Sequence, residues 1–361
     1  MRTVRKSGQY RPVKIATSSS SAQRTLHLQA DQPADIEKAA KILQDGGLVA
    51  MPTETVYGLA ANALDETAVA AIFAAKKRPS WDPLIVHVSD MAMLSRVVRE
   101  VPTAALMLME KFWPGPLTLL LPRHRNLSDS VTAGRELVGV RMPAHKTPQE
   151  LIRRAGLPLA APSANLFGHV SPTTVAHVLA DLDGRIDAVL DAGPSEIGVE
   201  STVLDPVARV IYRQGGVSRA QIEAVLGKPV TVYHRREDVT KPAAKPESLP
   251  SPGVGIRHYA PKANVMLVHT QADMDDLLLH VTPEHTGVML PKGWKASGWS
   301  GKVFPWEAWN DPASLARTLY TGLRTLDEKG VRTIVCPLPS SSEEPLVEAI
   351  RDRLLKAARD A

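Results

Sequence analysis

Residues 69–88 read VAAIFAAKKRPSWDPLIVHV. Val69, Ile72 and Phe73 recur at helical spacing, Lys76 and Arg78 close the helix, Pro79 and Pro83 prevent its continuation, and Leu84-Ile85-Val86-His87-Val88 is a short apolar run suited to a strand. A helix feeding a strand through a tight polar turn is the unit from which α/β sheets are assembled. The unit recurs on both sides. Upstream, Pro33, Ile36, Ala40 and Leu43 mark a helix that Gly46-Gly47 stops before a strand at 48–51; downstream, a helix at 104–112 precedes a strand at 117–121. Further strands are predicted at 137–141, 157–161, 186–190, 201–205 and 208–213, with helices at 148–155, 173–182 and 218–226. The pattern defines one mixed-sheet α/β domain over residues 25–227.

The composition changes at residue 228. Lys228-Pro229, Lys241-Pro242, Lys245-Pro246, Pro250 and Pro252 set a semi-extended linker over 228–261 in which no regular element is expected. Strands at 265–268, 288–290 and 333–336 then alternate with helices at 272–280, 312–328 and 344–358. This second series predicts a smaller doubly wound, Rossmann-like α/β domain over 262–361.

The 361 residues and 44% hydrophobic content suit a globular protein of two domains, while 4% aromatic residues leave no visible stacking platform for nucleic acid. A net charge of +5 is an effect of one end: residues 1–30 hold Arg2, Arg5, Lys6, Arg11, Lys14 and Arg24 with no acid, and the rest of the chain balances at −1. With Ser18 to Ser21, residues 1–24 read as a basic disordered tail; a weak tRNA contact through it and an organellar transit peptide remain open. One cysteine, Cys336, excludes a disulfide framework and a cysteine zinc knuckle and suits a reducing, cytoplasmic setting. No apolar run long enough to span a bilayer is present, so no membrane partner is expected.

Neither a P-loop, a G-x-G-x-x-G fingerprint, a G-x-S-x-G elbow nor an H-E-x-x-H pair occurs. What remains is a series of polar segments beside strands, where α/β sheets present their sites. Pro52-Thr53-Glu54-Thr55-Val56-Tyr57-Gly58 offers hydroxyls and a carboxylate either to a small polar ligand or to an ST-turn. Lys76 and Arg78 suit phosphate, or simply complement a helix dipole. His87 reads as a strand histidine, satisfied in a core or facing a site. Arg141 closes an apolar strand, where it pairs with a carboxylate of ligand or protein. Ala161-Pro162-Ser163-Ala164-Asn165 presents a hydroxyl and backbone, and Glu200-Ser201-Thr202-Val203-Leu204-Asp205 precedes Tyr212-Arg213-Gln214-Gly215-Gly216.

In this order PTETVYGLAANA, KKRPSWDPLIVHV, VGVRMP, APSANLFGHVSPTT, ESTVLD and YRQGG resemble the YrdC/Sua5 family of threonylcarbamoyl-AMP synthases. Ser251-Pro252-Gly253 and Arg257-His258-Tyr259-Ala260-Pro261 resemble the linker of its long, two-domain form. The resemblance implies a YrdC-like catalytic domain that makes threonylcarbamoyl-adenylate and pyrophosphate from L-threonine, bicarbonate and ATP, for the t6A modification of adenosine 37 in tRNA by downstream transfer enzymes. It further implies that Thr55, His87, Arg141 and Ser201 hold threonine. By the same resemblance, Lys76 and Arg78 are expected to act on the phosphates as catalytic residues. Asp82, Ala161, Ser163, Arg213 and Tyr259 complete the ATP side, Tyr259 as the linker residue closing over the site. Asp82 stands where many members carry Asn, so its carboxylate needs Mg²⁺ or an arginine beside it. No protein-held metal is expected, Mg²⁺ being carried mainly by ATP phosphates. The rival reading is a YrdC-like RNA-binding module without catalysis, which a neutral folded part disfavours.

Overall fold

A computed structural model of the chain describes residues 24–233 and 259–358. The basic tail up to residue 23 and most of the linker, including Arg257 and His258, lie outside the described residues. Eleven strands form the larger sheet: β1 Leu26–Gln29, β2 Val49–Met51, β3 Gly58–Asn62, β4 Ile85–His87, β5 Leu117–Pro122, β6 Leu137–Arg141, β7 Leu159–Ala160, β8 Ala188–Asp191, β9 Thr202–Asp205, β10 Val210–Arg213 and β11 Thr231–Val232. Their order is β1-β8-β2-β3-β7-β4-β6-β5-β9-β10-β11, with parallel and antiparallel pairs mixed as the alternation predicts. Strand β11 corrects one expectation. The segment after Lys228 is not wholly irregular, because Thr231 and Val232 pair in parallel with Val210 and Ile211 while Val230 is fully buried. The β-branched residues Val230, Thr231 and Val232 follow Pro229 and continue the sheet edge ahead of the next lysine-proline pair at 241–242.

Register explains why one face of this sheet is a core and the other a site. In β4 and β6 the pairs are Ile85 with Gly139, Val86 with Val140 and His87 with Arg141. Successive side chains of a strand point to opposite faces, so Val86 and Val140 join the main apolar core while His87 and Arg141 stand together on the other side. The helix Glu66–Lys76 packs Ala68, Val69 and Ile72 into the same core and is capped by Asp65, whose carboxylate accepts the amides of Thr67 and Ala68.

The smaller sheet consists of β12 Asn264–Val268, β13 Thr286–Pro291, β14 Lys302–Trp306 and β15 Thr333–Pro337, all parallel in the order β12-β15-β13-β14. Leu319, Leu323, Ile350 and Leu354 of the helices Pro312–Glu328 and Pro345–Ala357 share one core with Val265, Met289 and Ile334. Met274 of the helix Gln271–His280 packs with Val268, Val288 and Val335, which point the other way. Helices on both faces of a parallel sheet make this a doubly wound unit. Val56, Val170 and Val199 from the loops of the larger sheet belong to the same core as Leu315, Leu319 and Leu323, so the two units are packed together.

Candidate active site

The turn after the helix Glu66–Lys76 explains the basic triplet. Lys77 takes a left-handed conformation at φ 51°, and the amide of Arg78 returns to the carbonyl of Phe73. The reversal sends Lys76 and Arg78 inward and leaves Lys77 exposed. Arg78 is then fixed by the carbonyls of Asp82 (3.1 Å) and Pro83 (2.9 Å) and by the Asp82 carboxylate (2.9 Å). Asp82 therefore has the arginine neighbour that its charge requires.

One cleft gathers Thr55, Arg78, His87, Arg141, Ala161, Ser163, Ser201, Arg213 and Tyr259. Two of the predicted residues are placed differently. Asp82 lies behind Arg78, and Lys76, 1% exposed, donates to the carbonyls of Ser163 (2.6 Å) and Asn165 (2.5 Å), supporting the loop at 161–165 from below. Burial pushes the Lys76 ammonium well below its usual pKa, with Arg78 adding to the effect and Asp82 opposing it.

On the other side of the cleft, Arg141 donates through Nε to the Gly115 carbonyl (3.1 Å) and through Nη1 to Thr55 Oγ1 (2.8 Å), and Nη2 pairs with Glu54 (2.5 Å). Burial would raise the Glu54 pKa, but Arg141 and the amide of Ala144 outweigh it and keep the carboxylate ionised. His87, buried and beside Arg141, is pushed down to about 3 by burial and then by that guanidinium, so it is neutral. Ser201 Oγ bonds Thr118 Oγ1 (2.8 Å) and accepts from Arg213 Nη2 (3.1 Å), while Arg213 Nε reaches the Ser201 carbonyl (3.0 Å). Two charged groups thus face the cleft: Arg78 with Arg213, the latter held by Ser201, and Arg141 with Thr55, Glu54 and His87.

Three polar residues were assigned no substrate from sequence, although the hydroxyl of Thr53 and the carboxylate of Glu54 were offered to a small polar ligand or a turn. Thr53 bonds Thr55 (2.8 Å), Glu54 anchors Arg141, and Glu200, lining the cleft, accepts from Ser171 (2.5 Å). Glu54 and Glu200 lie inside the quoted motifs, but their partners are far along the chain. Tyr259 is 1% exposed with φ 63°, its ring stacked on Tyr320 at 6.2 Å. Among the described residues no three His, Cys, Asp or Glu side chains are grouped to hold a metal ion.

Comparison with known proteins identifies the family. A family model described as Telomere recombination matches residues 41–215, and one described as Threonylcarbamoyl-AMP synthase, C-terminal domain, matches 217–359. The Threonylcarbamoyl-AMP synthase of Pyrococcus abyssi is 39% identical over 335 residues, covering 90% of this chain and 94% of its own. That of Bacillus subtilis is 42% identical over 339 residues, covering 90% and 92%. The crystal structure of P. abyssi Sua5 complexed with L-threonine matches with a TM-score of 0.83 at 37% identity, over 92% of this chain and 97% of that one. The chain belongs to the Sua5/YrdC family, in its two-domain Sua5 form.

Proposed function

We propose that this chain is an L-threonylcarbamoyladenylate synthase, a nucleotidyltransferase acting on L-threonine, bicarbonate and ATP. The observation that carries the reading is the cleft itself, which brings together a guanidinium with hydroxyls, at Arg141, Thr55 and Ser201, and two further buried arginines, Arg78 and Arg213. Threonine is held by its carboxylate on the donors of Arg141 that Gly115, Thr55 and Glu54 leave unused, with Ser201 and neutral His87 beside its polar groups. A neutral imidazole neither repels the ammonium of incoming threonine nor competes for its carboxylate.

The ammonium of threonine releases a proton to solvent, and the free amine takes up bicarbonate as a carbamate, with loss of water. A carbamate oxygen then attacks the α-phosphorus of ATP, forming the mixed anhydride as the bond to the pyrophosphate oxygen breaks. Arg78 and Arg213 hold the phosphates and neutralise charge as pyrophosphate leaves, and the loop at Ala161 and Ser163, supported by Lys76, seats the adenylate. No enzyme nucleophile is needed. Asp82 is committed to Arg78, so the described residues offer Mg²⁺ no cage, and the ion would be held through ATP phosphates, where it supplies further charge neutralisation. The product is an activated donor for t6A formation on tRNA by downstream enzymes. No helix among the described residues is long and apolar enough to cross a membrane, and we place the reaction in the cytoplasm.

Pyrophosphate release with each substrate omitted in turn tests the reading. Release requires threonine, bicarbonate and ATP together, and serine supports it roughly fivefold less well because its missing methyl removes about 1 kcal/mol of apolar binding. Release indifferent to bicarbonate, or equal with serine, would refute it.

A further inference from the structure

Glu200 is a carboxylate 5% exposed, immediately before Ser201 on the wall of the cleft. Its oxygens are held by two side chains of the second unit: Tyr320 from the helix Pro312–Glu328, whose hydroxyl donates at 2.9 and 3.2 Å, and Arg353 from the helix Pro345–Ala357, whose Nε donates at 2.8 Å. Arg353 also donates through Nη1 to the carbonyl of Gln214 (2.9 Å), just after Arg213, and its guanidinium lies 5.0 Å from the ring centre of Tyr259. One fully buried guanidinium therefore touches two residues of the cleft wall, Glu200 and Tyr259, and the backbone of Gln214 next to a third, Arg213.

Adhesion between the units does not require this arrangement. Val56, Val170 and Val199 are already packed among the leucines of the helix Pro312–Glu328, and an apolar contact in place of a buried ion pair is often equally stable or more so. What the ion pair adds is direction. It fixes the carboxylate beside Ser201, the carbonyl beside Arg213 and the ring of Tyr259 relative to one another. The linker's Tyr259 was the only residue beyond 227 expected at the site; the structure adds a guanidinium and a phenol from the second unit behind it.

We propose that Arg353, with Tyr320, is a positioning residue for adenylate synthesis, through which the second unit sets the geometry of Ser201, Arg213 and Tyr259. This inference rests on the proposed reaction. Loss of the fork should appear as misplaced substrate groups and not simply as a weaker fold.

The test uses full-length chains carrying Arg353→Met, Arg353→Lys, Tyr320→Phe and Arg324→Met. Arg324 makes a second buried ion pair between the units, with Asp181 at 2.9 Å, and does not line the cleft. Threonine and ATP kinetics of pyrophosphate release are measured beside thermal unfolding. Arg353→Met should raise the KM for threonine or lower kcat by about tenfold or more, Arg353→Lys should recover part of the loss, and Tyr320→Phe should give a smaller loss in the same parameters. Arg324→Met should lower the unfolding temperature and leave both parameters within about twofold. Equal effects of Arg324→Met and Arg353→Met on kinetics would reduce Arg353 to domain adhesion and overturn the inference. If Arg353→Met does not fold, Tyr320→Phe decides: it retains the ion pair and ring, and wild-type kinetics in it would overturn the proposal. A wild-type chain without threonine-dependent pyrophosphate release would instead refute the reaction itself.

Discussion

Substituting Gly215 by alanine tests how the cleft is built, and the structure supplies the magnitude. A Cβ at this position would sit 2.3 Å from the amide nitrogen of Thr202, 2.4 Å from the carbonyl oxygen of Glu200 and 2.4 Å from the carbonyl carbon of Ser201. All three are backbone atoms. Ordinary carbon contacts lie at about 3.5–4.0 Å, so the segment carrying Glu200 and Ser201 must retreat by about 1 Å or the turn at Gln214 must open by as much. Overpacking of this kind costs about 1–3 kcal/mol of stability. A misplacement of about 1 Å in a group that positions substrate costs on the order of 10²-fold in rate. The conformation of Gly215 is not itself the constraint; the space is. Gly227→Ala is the control: there φ is +61° and a Cβ meets nothing within 4 Å, so it should cost about 1–2 kcal/mol through backbone strain alone. Initial rates of pyrophosphate release against threonine, at saturating ATP and bicarbonate, separate the two. Gly215→Ala should lose threonine kcat/KM by more than about tenfold, whereas Gly227→Ala should lose stability with kinetics unchanged. Wild-type kinetics in Gly215→Ala would refute the claim that backbone packing at Glu200–Thr202 sets the substrate wall.

Arg141→Ala should raise the KM for threonine far more than that for ATP, and it should also destabilise the fold by about 3–5 kcal/mol because Glu54 is left buried without its partner; titration with each ligand and urea unfolding read the two effects separately. Lys76→Ala should give the converse kinetic pattern, weakening ATP binding through the loosened carbonyls of Ser163 and Asn165 while threonine binding by calorimetry is kept. His87 is held at about 3 in the fold against 6.5 for a free imidazole, so the unfolded chain binds the proton first. Its contribution is complete above about pH 6.5 and falls by about 1.4 kcal/mol per pH unit towards about pH 3. Urea unfolding across that range should show a shallower acid limb in His87→Gln, and an unchanged slope would contradict the buried neutral state.

Much of this architecture was legible because apolar runs and helical spacing are local signals. Strands β4, β5, β6, β12, β13 and β15 fall where continuous Leu, Ile and Val runs place them. Strand β3 was not read because Gly58-Leu59-Ala60-Ala61-Asn62 is made of small residues of low strand propensity, and only its position between β2 and β7 makes it extended. Strand β14 contains Pro305, which is tolerated because the strand lies at the edge of its sheet. At the site, the motifs announced which segments converge. They did not announce which charges meet. Glu200 and Arg353 are 153 positions apart, and the C-terminal helix carrying the arginine looks in sequence like any amphipathic helix. The pairing of β4 with β6 puts His87 and Arg141 on one face, and nothing local ties Arg141 to Glu54 or Lys76 to the Asn165 carbonyl.

The central claim is that the carbon of bicarbonate is joined to threonine as a carbamate, and that this carbamate takes the adenylyl group of ATP within one cleft. Incubating the enzyme with ATP, threonine and isotopically labelled bicarbonate, and examining the adenylate by mass spectrometry before it hydrolyses, tests this directly. The account predicts a threonylcarbamoyl-adenylate whose mass rises with the label, formed together with pyrophosphate. An unlabelled adenylate, or pyrophosphate released with no carbamoylated product, would contradict it.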